Sequence, residues 1–236
     1  MSALLEVKNL NVYYKENRSR RQVLHDVSFT VEEGEILGLV GESGCGKTTL
    51  SRAILGINKD IDGQIILKDE RPRMVFQDPA ASLNPARSIG WILEEPLRNA
   101  GVDKATRRKL AEEMLCRVGL NETYYHRKPR ELSGGQRQRG GIGAAIIGNP
   151  KFVIADEPVS ALDVTIQAEI LKLLVELKND LGLSYLFISH DMDVVWQICD
   201  RVMVMKDGEV VEYGTRDEVF DHPRHPYTKK LLAASE

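Results

Sequence analysis

The chain has 236 residues, 42% of them hydrophobic, enough for one large α/β domain or for a core with a helical insertion. Its 32 Lys and Arg stand against 35 Asp and Glu, so the surface charge is mixed and no general basic face advertises nucleic acid. There is no apolar run long enough to cross a membrane, and Met1-Ser2-Ala3-Leu4-Leu5-Glu6 lacks the basic and apolar regions of a secretion signal, which predicts a cytoplasmic chain.

Leu5 to Tyr14 alternates as a strand does, with Leu10, Val12 and Tyr14 on one face. The polar, basic run Lys15-Glu16-Asn17-Arg18-Ser19-Arg20-Arg21 reads as a solvated hairpin turn without a partner. Val23 to Val31 is predicted as a second strand, Glu32-Glu33-Gly34 as its turn and Glu35 to Val40 as a buried strand. That strand runs into Gly41-Glu42-Ser43-Gly44-Cys45-Gly46-Lys47-Thr48-Thr49, and an apolar-periodic segment opens at Leu50. Strand, glycine-rich loop and helix are the setting in which G-x-x-x-x-G-K-[ST] binds a nucleotide. Gly44 and Gly46 let the backbone approach a phosphate chain, and the loop N–H groups and helix N-terminus face the anion. Lys47 reaches the outer phosphates, and the Thr48 hydroxyl can hold a magnesium ion. Cys45, Cys116 and Cys199 stand apart with no C-x-x-C spacing, so they read as thiols without a metal role.

Gly63 to Lys68 then reads as a short strand, Arg71-Pro72 as a break, and Met74-Val75-Phe76 as a strand that delivers Gln77 to a loop. From Ser88 to Leu120 the pattern is helical, with Asp103 as an N-cap and Leu110, Met114 and Val118 at helical spacing, as in a helical insertion. Leu132-Ser133-Gly134-Gly135-Gln136 is a second glycine-rich turn, whose serine and N–H groups can open onto an anion at a helix start. Lys151 to Glu157 is a continuous apolar strand ending in two acids, as fits a strand buried on both faces of a parallel sheet. Ligands of open α/β sheets bind at that carboxyl edge, so Asp156 and the phosphate loop can share one magnesium ion. An amphipathic helix follows, with Ile166, Ile170, Leu173, Leu174, Leu177 and Leu181 on its apolar side and Gly182 at its end. Tyr185 to Ile188 is another buried strand, carrying Ser189-His190-Asp191 to the same edge. A helix from Met192 to Cys199 leads to a hairpin from Arg201 to Tyr213, turning at Lys206-Asp207-Gly208.

In this order, the phosphate loop, Gln77, the run from Leu132 to Gln136, the strand ending in Asp156-Glu157, and His190 resemble the ATP-binding-cassette ATPases over nearly the whole chain. Gln77-Asp78-Pro79, Ser82-Leu83-Asn84-Pro85, Glu95-Pro96-Leu97 and His225-Pro226-Tyr227-Thr228 are similar to the subgroup that imports peptides and nickel. The resemblance implies an α/β fold: a P-loop NTPase core with a mainly parallel sheet, an antiparallel β-subdomain and a helical subdomain. It implies one nucleotide-binding domain over residues 1–236, with the helical insertion at about 87–145 and a C-terminal tail at about 214–236.

ATP and Mg2+ are the implied ligands. The resemblance stacks Tyr14 on adenine, with Tyr13 as the fallback and packing in the β-subdomain as the alternative for either. It gives the phosphates to Gly41, Glu42, Ser43, Gly44, Cys45, Gly46, Lys47, Thr48 and Thr49. It gives magnesium to Thr48 and Gln77, and to Asp156 through water. Glu157 is the expected general base and His190 the expected contact to the γ-phosphate, while Gln77 also senses a membrane partner. Ser133, Gly134, Gly135 and Gln136 are expected to bind the γ-phosphate of ATP held by a second cassette, in a homodimer or heterodimer. Ser160-Ala161-Leu162-Asp163 would link the two half-sites, with Asp163 crossing the interface. Integral membrane permease subunits would dock around Arg87 to Leu120 and Gln77, on the cytoplasmic face of the membrane. An extracytoplasmic substrate-binding protein would act indirectly, and no nucleic acid is implied. The other readings are a soluble cassette ATPase acting on nucleic acid or ribosomes, which would need coiled-coil insertions or a second cassette, and a poorly active subunit that holds ATP, which would predict loss of Glu157 or His190.

Several positions depart from the family pattern. The chain is short between Gly63 and Met74, Val159 replaces the usual threonine, and no cysteine cluster follows His225. Gly140, Gly141 and Gly143 interrupt the helix after the signature, and Ala144 stands where arginine is usual. Each interior glycine costs a helix about 0.8–1.0 kcal/mol relative to alanine, which predicts a signature helix that is present but loosely held. Close backbone packing is the alternative.

Overall fold

The structure, a computed structural model, describes residues 3–16, 19–69 and 72–234. Asn17 and Arg18 of the expected turn and Arg71 of the expected break lie outside the described residues. β1 (Ala3–Glu16) and β2 (Ser19–Glu32) form a long antiparallel pair. β3 (Ile36–Val40) leads through the glycine-rich loop into α1 (Lys47–Ile54). β4 (Ile61–Leu67) returns to the other side of β1, giving a three-stranded antiparallel sheet in the order β2-β1-β4.

β5 (Arg73–Val75), β6 (Phe152–Asp156), β7 (Ser184–Ile188), β8 (Arg201–Lys206) and β9 (Glu209–Thr215) join β3 in a second sheet, ordered β5-β6-β7-β3-β8-β9. All its pairings are parallel except that of β9 with β8. Between β5 and β6 come α2 (Pro79–Ser82), α3 (Ile89–Asn99), α4 (Lys104–Arg117) and α5 (Gly134–Ile146). α6 (Val164–Leu181) follows β6, α7 (Met192–Ile198) follows β7, and α8 (Arg216–Asp221) and α9 (Pro226–Ala233) follow β9.

The period of two in the buried strands divides the interior into two apolar clusters. Val153 and Ala155 of β6, Tyr185 and Phe187 of β7, and Val202 and Val204 of β8 face the cluster shared with α3 to α7. Their neighbours Phe152, Ile154, Leu186, Ile188, Met203 and Met205 face the cluster shared with the antiparallel sheet and α1. Strands covered on both faces read as unbroken apolar runs, which is why they were legible in sequence.

The expected turn over Lys15 to Arg21 is corrected by the structure. The pairing of β1 and β2 extends into it from both sides, with Tyr14 opposite Arg21, Lys15 opposite Arg20 and Glu16 opposite Ser19. Arg20 is also partnered: its guanidinium bonds Asp60 at 2.6 Å and lies 3.5 Å from the centre of the Tyr13 ring. Cross-strand ion pairing and cation–π contact sustain a strand that polar composition alone reads as a turn. Elsewhere the helix signals hold. Asp103 caps α4 by accepting from Ala105 and Thr106, and Gly182 closes α6 in the left-handed conformation.

Candidate active site

The strand order brings four chain segments to one carboxyl edge of the sheet. β5, β6, β7 and β3 are consecutive neighbours, and they end respectively in the segment with Gln77, in Asp156-Glu157, in Ser189-His190 and in the glycine-rich loop. A cleft of about 260 Å³ opens there, lined by Val23, Ser43, Gly44, Gly46, Lys47, Thr48, Thr49, Gln77, Asp156 and Glu157.

Gly46 caps α1 at φ 112°, with no side-chain hydrogen bond to the helix start. The first-turn N–H groups are thus left for an anion, with the positive end of the helix dipole behind them. A side chain at Gly46 would be doubly penalised, because this backbone disfavours L residues and a Cβ would lie 2.6 Å from Leu24 Cδ2. Gly44, at φ 85°, has open space where its Cβ would be, so its backbone conformation, not crowding within the chain, explains the glycine. Lys47 is 9% exposed, and its Nζ donates to the Gly41 carbonyl at 2.6 Å and the Glu42 carbonyl at 3.0 Å. Burial pushes the Cys45 thiol up, with Lys47 pulling the other way; a buried, protonated thiol is unreactive.

Glu157 sits between two of the expected catalytic side chains. Gln77 Nε2 donates to its Oε2 at 2.9 Å, and His190 Nδ1 lies 3.2 Å from its Oε1. Its backbone is in the left-handed region at φ 45°, fixed by its N–H donating to the Ile188 carbonyl at 2.9 Å. Burial and the adjacent Glu157 push the Asp156 carboxyl above the usual range, with Lys47 and Arg52 pulling it down. The cleft thus holds two carboxylates, three hydroxyls and an amide beside a lysine and a helix N-terminus, an arrangement suited to a phosphate chain with a hard cation.

Of the two tyrosines, Tyr14 is the one beside the loop, with its hydroxyl 3.5 Å from Thr49 Oγ1 and accepting from Asn58 at 2.8 Å. Tyr13 lies under Arg20 instead. The residues from Ser133 to Gln136 do not line the cleft. Ser133 caps α5, accepting from the Gln136 N–H at 3.3 Å, while Gln136 Oε1 accepts from the Ser133 N–H at 2.9 Å. Asp163 caps α6, accepting from the Ile166 N–H at 3.0 Å. Sequence reading missed Val23 as a cleft wall, and it named Ser160 only as part of the loop linking the half-sites, whereas its hydroxyl lies 3.3 Å from Gln77 Nε2 and donates to the Glu157 carbonyl at 3.2 Å.

The profile of the family described as ABC transporter matches residues 24–160, and that described as oligopeptide/dipeptide transporter, C-terminal region, matches residues 211–236. The chain is 43% identical over 249 residues to the oligopeptide transport ATP-binding protein OppF of Bacillus subtilis (strain 168), covering 98% of this chain and 82% of the relative. It is 46% identical over 230 residues to the dipeptide transport ATP-binding protein DppF of Escherichia coli (strain K12), covering 91% and 69%. Among solved structures, cbiO1 from Clostridium perfringens, part of the ABC transporter complex cbiONQ, superposes with a TM-score of 0.84 at 31% identity, covering 94% of this chain and 92% of that one. A dimeric ATP-binding cassette in a post-hydrolysis state, bound to ADP and Pi, gives 0.79 at 29% identity, covering 90% and 98%. With an α/β core of mostly parallel strands, a small antiparallel sheet and a phosphate loop at the sheet edge, the chain belongs to the ATP-binding-cassette ATPases of the ABC transporter family.

Proposed function

We propose that this ATPase powers the import of peptides through separate membrane subunits, working as one nucleotide-binding domain with an insertion at about 87–145 and a tail at about 214–236. Peptides are favoured over nickel complexes because OppF and DppF are named for oligopeptide and dipeptide transport. No helix among the described residues is long and apolar enough to cross a membrane, which fits a peripheral subunit on the cytoplasmic face. The observation that carries the catalytic reading is the Gln77–Glu157–His190 cluster beside the phosphate-loop cleft.

On this reading Lys47 and the N–H groups of residues 41–49 bind the phosphates, and Tyr14 receives the adenine. Thr48, Gln77 and Asp156 suit Mg2+ because all three offer oxygen to one cleft and two adjacent carboxylates need a compensating charge. The ion, when bound, would neutralise charge on the phosphate oxygens. Glu157 orients the attacking water and takes its proton, and His190 stabilises the charge that develops at the γ-phosphate. Ser133, Gly134, Gly135 and Gln136 would complete the site of a second cassette, identical or related, which explains why they stand away from the cleft of their own chain. The groove between residues 72–76 and the helices α3 and α5, lined by Phe76, Leu83, Ile92, Glu95 and Ala144 among others, is the surface offered to a permease subunit. An extracytoplasmic binding protein would choose the cargo.

Glu157→Gln tests the chemistry. It is expected to keep ATP affinity, lower kcat by about 10²–10⁴-fold and trap an ATP-bound dimer visible by gel filtration. Hydrolysis at the wild-type rate would remove Glu157 from the role of base. Reconstitution with permease subunits tests the transport assignment: peptide-loaded binding protein should stimulate hydrolysis, and equal rates with and without peptide would reject it.

A further inference from the structure

The C-terminal run His225-Pro226-Tyr227-Thr228 buries its last two residues, and Tyr227 reaches the nucleotide-binding loop. Tyr227 is 7% exposed and Thr228 is fully buried. The start of α9 is fixed from both sides. Glu212 accepts from the Arg224 N–H at 2.7 Å and the His225 N–H at 3.1 Å, and His225 Nδ1 accepts from the Tyr227 N–H at 3.2 Å. The ring of Tyr227 lies 5.3 Å from Lys206 Nζ, and its hydroxyl accepts from the Glu42 N–H at 3.0 Å.

That N–H belongs to the same peptide unit as the Gly41 carbonyl, which receives Lys47 Nζ at 2.6 Å. A peptide is planar, with its N–H and C=O pointing in opposite directions. Fixing the N–H outward on Tyr227 therefore fixes the carbonyl inward toward the lysine. We infer that Tyr227 is a positioning residue for nucleotide binding: it holds the Gly41–Glu42 peptide, and through it Lys47 and the entrance of the phosphate loop, in the orientation that receives ATP. By thermodynamic reciprocity, ATP binding then tightens the docking of α9. The inference rests on the reading of residues 41–49 as the nucleotide loop.

The test uses the full chain and Tyr227→Phe, which keeps the ring and removes the hydroxyl. One neutral hydrogen bond corresponds to about a three- to tenfold change in an equilibrium constant, so ATP affinity, read by titration with a fluorescent ATP analogue, is expected to fall about three- to tenfold. The rate at saturating ATP is expected to change less than twofold, because Glu157 and His190 follow β6 and β7 and make no hydrogen bond to Tyr227. Glu212→Gln, which loosens the start of α9 without touching the loop, should weaken affinity in the same direction. In wild type, ATP should slow hydrogen exchange of the amides of residues 229–233. Affinity of Tyr227→Phe within twofold of wild type, an equal loss in saturated rate, or exchange in α9 that ignores ATP would each overturn the inference. Lys47→Ala serves as the reference: if it binds ATP normally, the nucleotide-loop reading itself fails, whereas a crippled Lys47→Ala beside a normal Tyr227→Phe sinks only the coupling.

Discussion

Alanine substitution at two glycines one turn apart in α5 should change stability in opposite directions. Both sit inside the helix, so each alanine gains about 0.8–1.0 kcal/mol of helix propensity. At Gly140 the new Cβ would rest 3.7 and 3.9 Å from Ile89 Cδ1 and Cγ2, ordinary contact, so the gain survives. For a chain of this length it should raise Tm by about 2–4 °C. At Gly143 the Cβ would lie 3.1 Å from Leu93, 3.3 Å from Met114 and 3.4 Å from Val118, crowding both α3 and α4. Overpacking of a filled core costs about 1–3 kcal/mol, which outweighs propensity and leaves a net loss of about 1 kcal/mol. Thermal unfolding of the two single variants decides the sign. If Gly143→Ala stabilised as much as Gly140→Ala, the crowding argument would be wrong and the glycines would be plain weaknesses, as propensity alone suggests.

His190→Ala should lower kcat by about 10²–10⁴-fold with ATP affinity little changed; a matching loss of affinity would make His190 a binding residue instead. Glu35 is 6% exposed, and its carboxylate takes both Arg201 Nε at 2.5 Å and a second guanidinium nitrogen at 2.9 Å. Arg201→Ala strands that buried charge and should cost about 3–5 kcal/mol in urea unfolding, and a loss below about 1 kcal/mol would refute the pairing. Burial and the hydrogen bond to Glu94 push the Tyr125 hydroxyl up to about 12. Its folded value exceeds the ordinary value of about 10, so its contribution is intact below about pH 10 and is lost as pH rises toward about 12. Tyr125→Phe should flatten that alkaline fall, and stability curves parallel to wild type would count against it.

The buried strands and the phosphate loop were legible because one physical fact wrote each of them. Strands covered on both faces must be apolar throughout, and a loop that turns through positive φ at Gly44 and Gly46 must spend glycines there. The acids at the end of β6 and the histidine after β7 followed from the same edge rule. Contacts between segments distant in sequence were hidden. Nothing local in Ser19-Arg20-Arg21 announces a strand, because Asp60 and Tyr13 hold Arg20 there. Likewise Tyr227 lies 185 positions from Glu42, and only the fold reveals that a C-terminal tyrosine grips the loop. The glycines of α5 show the opposite error, since propensity treats Gly140 and Gly143 alike while their neighbours separate them.

Glu157 is where the proposed chemistry and the proposed coupling meet. A non-glycine residue in the left-handed region costs on the order of 1–3 kcal/mol and persists only when its surroundings over-determine it. Here the Ile188 carbonyl fixes its backbone N–H, and Gln77 and His190 flank its carboxylate. Gln77 has two usable ends. Its NH2 donates to Glu157 at 2.9 Å and approaches Ser160 at 3.3 Å, while the amide oxygen, a separate acceptor, is left for a cation. One planar group can therefore serve the base and the proposed magnesium together, and the two cannot be moved independently. Gln77 directly follows Phe76, which is 50% exposed in the groove against α3 and α5. On the proposed function, a permease segment seated in that groove would displace Phe76 and carry Gln77 with it. The cation and the catalytic carboxylate would then lose their alignment in a single step, so hydrolysis would answer to the state of the membrane partner without any contact between that partner and ATP.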